Sequence, residues 1–259
     1  MTERTLPSAP PSTRAPEQAS SGGGSSVQLK QALTGKSFDV QQKMLAPRAQ
    51  VQAKEAVQRA PVQRTEVRNT IKDGPYEWTS AYDVGFDEAK KECNITVRVK
   101  LVPKDGNVTE EDIKGIKANV GQHFPAIWDN KFKLTDKASG KVYGLRLAVA
   151  FVENNEHLTA TLNHGQGYAN LSNWYAQPIG AVTPAHELGH QLGLKDEYVD
   201  VNVPDRKDAA APGAHADNSI MGDYLSEGEG KAGAKLRHGQ TIAGGVGGAT
   251  GRAFDTAMQ

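Results

Sequence analysis

A chain of 259 residues has room for one large domain or two small ones. Its 30 basic and 30 acidic residues cancel to a formal charge of zero, so no global field draws it to nucleic acid or an anionic membrane surface. The single Cys93 excludes an internal disulfide, and no stretch approaches the roughly 20 apolar residues of a membrane span. The expectation is a protein with neither a nucleic-acid partner nor a membrane span. Met1 to Pro16 carries scattered charge and proline with no apolar segment of a signal peptide. It is therefore expected in the cytoplasm of the producing cell, with any export depending on another machine.

Aromatic residues divide the chain. Of 16 (3 Trp, 7 Tyr, 6 Phe), only Phe38 precedes residue 65, and a core is hard to build without them. Residues 1–64 are read as a disordered, low-complexity tail and 65–259 as the folded domain. The tail opens with Pro, Ser and Gly up to Ser26, then turns to Gln, Ala and Lys with short aliphatic runs.

Beyond residue 70 the pattern predicts regular elements. Ile95, Val97, Val99 and Leu101 alternate with polar residues, as in a strand with one buried face. Thr109 followed by Glu110, Glu111 and Asp112 opens a helix whose apolar stripe is Ile113, Ile116, Val120, Phe124 and Ile127, with Pro125 expected to end or kink it. Leu145–Val152 (LRLAVAFV) reads as apolar on both faces and predicts a central strand; Leu158, Ala160 and Leu162 mark another. The order strand, helix, strands, helix implies an α/β (α+β) sandwich, with a mixed twisted sheet, one backing helix and the motif helix below. The C-terminal run Gly244–Gly248 reads as a linker, and Asp200–Asp217 as a flexible loop that shapes a cleft or binds calcium.

The chemistry is carried by His186-Glu187-Leu188-Gly189-His190, an HExxH motif. On a helix the two histidines, four apart, project from one face and can reach one cation, while Glu187 sits beside them to hold an attacking water. Thr183 suits the N-cap, Pro184 the first helical position and Gly193 the terminus. Chance alone would give a chain of this length one HExxH with a probability of roughly a few per cent, so the flanks matter. The motif extends to HExxHxxGxxD: Gly193 can reverse the chain in the left-handed conformation and carry Asp196 back towards the metal. Two imidazoles and a carboxylate leave a fourth position open for water, as catalytic zinc requires.

This pattern resembles the metzincin clan of zinc peptidases, whose motif is HExxHxxGxxH followed by a Met-turn, in the aspartate variant of small bacterial families such as snapalysin. The resemblance implies Zn2+ held by His186, His190 and Asp196, with Glu187 as catalytic base and acid. Asn218-Ser219-Ile220-Met221-Gly222-Asp223 looks like the Met-turn. Glu197 beside Asp196 leaves the third ligand open between them, and Tyr224 stands one position later than the tyrosine of several metzincins. The implied reaction is hydrolysis of a polypeptide by a metal-activated water. Asn170–Tyr175 occupies the place where the clan pairs substrate by strand addition, with Trp174 there or in the core.

Of the other histidines, His123 and His157 read as solvated or core residues, His164 as cleft-lining or structural, His215 as exposed and His238 as structural or reaching the cleft. The run Leu29–Pro47 (LKQALTGKSFDVQQKMLAP) resembles a segment near the start of proteins associated with extracellular contractile injection systems. That resemblance implies a toxin-like effector whose tail binds a loading partner and which leaves the cell inside an injection particle. Three rival readings stay open: a gluzincin using Glu227 or Glu229, a structural or cargo protein with a metal site, and a hydrolase of other amides such as peptidoglycan cross-links.

Overall fold

The computed structural model describes residues 64–259; apart from Arg64, the expected tail of residues 1–64, with its Leu29–Pro47 loading segment, lies outside them. The described part is a mixed α/β unit. Its elements are β1 (Thr65–Asp73), β2 (Tyr76–Asp87), β3 (Glu92–Pro103), α1 (Glu110–Trp128), β4 (Phe132–Asp136), β5 (Val142–Phe151), β6 (Leu158–Gly167), β7 (Asn173–Pro178), α2 (Thr183–Gln191), α3 (Tyr224–Glu227), α4 (Leu236–Thr250) and β8 (Phe254–Met258).

The strands make one curled sheet ordered β1-β2-β3-β5-β4-β8, with β6 joining β3 and β7 joining β6. The β3–β5, β3–β6 and β6–β7 pairs are parallel and the remainder antiparallel. Strand β3 does most to organise it. Its Cys93, Ile95, Val97 and Val99 are buried on one face, β2 pairs with it up to Thr96, and from Val99 onward β6 pairs with it.

The expected strands at β3, β5 and β6 are present, but β5 is not buried on both faces. Tyr143, Leu145 and Leu147 are buried while Arg146 and Ala148 are not, so only one side meets the core. Two strands precede the first one expected. β1 (TEVRNTIKD) buries little and so carries no apolar alternation for the eye to find.

Helix α1 opens as predicted: Thr109 accepts from the Asp112 N–H while the Asp112 carboxylate accepts from Thr109 N–H, a reciprocal capping box. Pro125 neither ends nor breaks the helix, which runs on to Trp128. It lies in the last turn on an exposed face, where one backbone bond is at stake, and burial of Ile127 and Trp128 outweighs that loss.

The largest correction is at the C-terminus. Gly244–Gly248 is no linker but the middle of α4, which packs on β1 and β8. Its glycines allow close approach: a Cβ on Gly239 would meet the Phe132 ring at 2.4 Å, and one on Gly245 the Tyr82 hydroxyl at 2.5 Å. Glycine lowers helix propensity by roughly 1 kcal/mol per residue; here packing decides. No helix among the described residues is long and apolar enough to cross a membrane.

Candidate functional site

Helix α2 carries the motif and is buried along its whole length. Its N-cap is Val182 and not Thr183, whose hydroxyl instead donates to Ile179 O at 2.6 Å. Three side chains from elsewhere fix the helix by its own carbonyls. Trp128 Nε1 donates to Ala185 O at 2.9 Å, Trp78 Nε1 to His190 O at 3.0 Å and Ser80 Oγ to Gln191 O at 2.8 Å. Helix ends leave such carbonyls without partners, so β2 supplies partners for the C-terminal end and holds it rigid. Gly193, with φ of +89°, turns the chain and returns Asp196 to the histidines.

The two imidazoles are held in one tautomer. His186 Nδ1 lies 2.8 Å from Ile220 O and His190 Nδ1 2.9 Å from Leu194 O. A carbonyl only accepts, so each Nδ1 carries a hydrogen and each ring, when neutral, has its lone pair on Nε2. Both Nε2 atoms face Asp196 Oδ1, at 3.1 and 3.4 Å. That oxygen is buried and has no hydrogen-bond partner. Glu187 Oε2 is 4.0 Å from His190 Nε2, and the ligand atoms of His186, Glu187 and His190 all lie within 4.8 Å of one another.

With both rings neutral, three electron-pair donors converge with no hydrogen between them. Such an arrangement needs a cation or a proton at its centre. Burial works against the charged form of His190, yet the Asp196 carboxylate more than offsets it and raises its pKa to about 9. Burial likewise opposes ionisation of Asp196, but the two imidazoles hold it far below the usual carboxylate range. Burial also pushes the Glu187 carboxyl up, against the pull of the two histidines. The group can hold a metal ion.

Met221 underlies this face, fully buried, against Gly189 of α2. Glu197, the rival to Asp196, points away: Arg237 donates to both its oxygens at 2.6 and 2.7 Å, and His238 lies 3.1 Å from it. Tyr224 is buried near His186 with ring centroids 5.3 Å apart. Since the Thr183 proton goes to Ile179 O, Tyr224 donates to Thr183 Oγ1, at 2.7 Å. Burial pushes its phenol up to about 12.

Comparison with known proteins found no matching family model, no matching curated protein and no matching solved structure.

Two cavities flank it and share Ala169, His186, Glu187 and Tyr198. One, of 610 Å³, is walled by residues including Tyr168, Ile179, Val199, Ala209 and Leu225. The other, of 460 Å³, is walled by residues including Tyr76, Trp78 and Asn170–Ser172. The segment expected to meet substrate thus lines the second with its first half, while Trp174 is core, fully buried.

His164 lies outside these cavities, paired with Asp112 at 2.9 Å. His215, expected to be exposed, is half-buried and lines the larger cavity. His123 is half-buried on α1, and His238 is structural. The loop Asp200–Asp217 is pinned where flexibility was expected, chiefly by Arg206, which nothing in the sequence marked. Arg206 is fully buried and donates to Asp73 at 3.1 Å and to Tyr198 O at 2.9 Å.

A second grouping, Glu66, Asp83 and His157, has metal-like spacing but a different chemistry. His157 Nδ1 accepts from Arg98 N–H at 2.9 Å, so Nε2 bears the hydrogen and offers no lone pair. The Arg98 guanidinium already pairs with both carboxylates.

Proposed function

We propose that the protein is a zinc-dependent endopeptidase in which His186, His190 and Asp196 hold the metal and Glu187 is the catalytic residue. The observation that carries this is the buried Asp196 Oδ1, without a hydrogen bond, facing the Nε2 atoms of His186 and His190 at 3.1 and 3.4 Å. Ligands about 2.0–2.1 Å from a tetrahedral ion stand about 3.3–3.4 Å apart, so the spacing fits zinc with little movement. Zinc, when bound, supplies a Lewis acid at the fourth, open position.

The rest belongs to the chain. Glu187, beside that position, takes the proton of the attacking water and later passes it to the leaving amine. In the metal-free site its burial raises its pKa. The two cavities meeting at His186 and Glu187 suit an extended chain lying across the site, which favours a polypeptide over a compact amide. A purely structural metal site has no use for a carboxylate beside the open position, which argues against the non-catalytic reading.

The test is cleavage of denatured casein by wild type and Glu187→Gln, with zinc measured in both. Cleavage by wild type alone, with about one zinc per chain in each, supports the proposal; absence of zinc from the wild type defeats it. The effector reading rests on Leu29–Pro47. Deleting residues 1–64 should stop loading into an injection particle and leave peptidase activity intact.

A further inference from the structure

We propose that Arg206, with Tyr198, is the positioning residue that presents Asp196 to the metal through a single oxygen; this rests on the metal reading above. The two oxygens of Asp196 have different surroundings. Oδ1 faces the imidazoles without a hydrogen bond. Oδ2 accepts from Tyr198 Oη at 3.0 Å and lies 3.6 Å from Arg206 Nη2.

The Arg206 side chain is 2% exposed and is spread over several partners. Nε donates to Asp73 Oδ2 and Nη1 to Tyr198 O. Nη2 is buried without a hydrogen bond, 3.6 Å from Asp196 Oδ2 and 3.5 Å from Asp200 Oδ2. The guanidinium also lies over the Tyr198 ring at 4.8 Å. One arginine therefore sits among three carboxylates, Asp73, Asp196 and Asp200, and braces the backbone and ring of the tyrosine that holds Asp196.

Two effects of removing it compete. Loss of a buried positive charge near the site would strengthen attraction for a cation; loss of orientation would weaken it. Orientation wins on the geometry. Without the guanidinium, Asp73 and Asp200 repel Asp196 from behind with little compensation, since Lys195 Nζ, 3.7 Å from Asp73, is half exposed. Tyr198, stripped of its brace, holds Oδ2 less well. Partners that orient a metal ligand typically change affinity by about 10–100-fold. Arg206 belongs to the loop that also supplies Ala209 and Ala214 to the wall of the larger cavity, so retention of the metal and the shape of the substrate wall depend on the same segment.

The experiment uses the full chain with zinc as the probe, measuring affinity by competition with a chromophoric chelator. It also compares visible spectra of the cobalt(II)-substituted proteins, which report ligand geometry. Arg206→Gln should weaken zinc about 10–100-fold and alter the cobalt spectrum. Arg206→Lys, which keeps the charge but cannot span the same partners, should recover only part of the loss. Tyr198→Phe, at a half-exposed residue, should fold normally and weaken zinc in the same direction, which keeps the idea testable if Arg206→Gln fails to fold. Wild-type affinity and spectrum in Tyr198→Phe and a folded Arg206 variant would overturn the proposal, as would tighter binding in Arg206→Gln. A wild type that takes up no zinc would instead defeat the metal reading itself.

Discussion

Gly189, one of the two unspecified positions of HExxH, is fixed by what lies beneath it. A Cβ there would stand 2.5 Å from Met221 Sδ, 3.3 Å from Met221 Cε and 3.2 Å from Trp128 Cζ2. Ordinary contacts need about 3.5–4.0 Å, so something must move by about 1 Å or more. Met221 is fully buried, and Trp128 is both buried and hydrogen-bonded to Ala185 O, so neither can yield freely. Gly189→Ala should gain about 1 kcal/mol of helix propensity and lose about 1–3 kcal/mol to overpacking, for a net loss of about 0–2 kcal/mol. Met221→Ala alone should cost about 2–5 kcal/mol. The double variant should be more stable than the sum predicts by about 1–3 kcal/mol, because the new methyl occupies vacated space. If the strain is relieved by moving α2, a 1 Å displacement of the imidazoles should also lower activity about 100-fold. Denaturant unfolding of the four proteins, with casein cleavage alongside, measures both. Additivity within about 0.5 kcal/mol would refute the contact between the methionine and the motif helix.

The glycines of α4 divide by their surroundings. Gly244→Ala and Gly248→Ala, with nothing within 4 Å, should each raise stability by about 0.5–1 kcal/mol, whereas Gly247→Ala, whose Cβ would lie 2.6 Å from Arg252 O, should lower it; thermal melts decide. Asp136, held down to about 2 by the Ser139 N–H and Arg252, binds fewer protons folded than unfolded. It therefore stabilises the fold above its ordinary value of about 4, and the advantage is lost as pH falls to 2. The stability gap between wild type and Asp136→Asn should accordingly close over that range; a constant gap would contradict the assignment. Because His190 titrates at about 9 in the metal-free site, zinc at pH 7 should displace about one proton. Calorimetry in buffers of different ionisation enthalpy should detect it, and zero release would count against His190 as a ligand.

The parts of this fold that were legible share a local cause. β3 and α1 announce themselves because their buried residues recur at the period of the element, and the capping box of α1 lies within four residues. What was hidden depends on partners far along the chain. α4 looks like a linker because its glycines answer to Phe132, Tyr82 and Arg252. The helix exists for reasons of packing that its own composition denies. β2 is buried through Ser80–Gly85 because helices and loops cover it, so SAYDVG shows no alternation. In the site, the motif named the residues of α2, but Trp78, Ser80 and Arg206 could not be found. Each acts on a group over 100 residues away or on a backbone carbonyl, and neither leaves a mark at fixed spacing.

The choice between Asp196 and Glu197 shows why spacing could not decide. The two adjacent carboxylates go separate ways: Asp196 faces the imidazoles, and Glu197 has a different partner. Arg237, His238 and Ser219 surround its carboxylate and hold it well below the usual range against the penalty of burial. Arg237 also reaches Asp217, so the same pair ties the segment after α2 to α4 and to the loop entering Met221. Turning Glu197 towards the histidines would strip these groups at once, and breaking a buried ion pair costs about 3–5 kcal/mol, trimmed here by the partial exposure of Arg237. Asp196, whose inward oxygen has no hydrogen bond to lose, gives up nothing by facing a cation. The shorter side chain holds that place because the longer one is needed to join the floor of the site to the last helix.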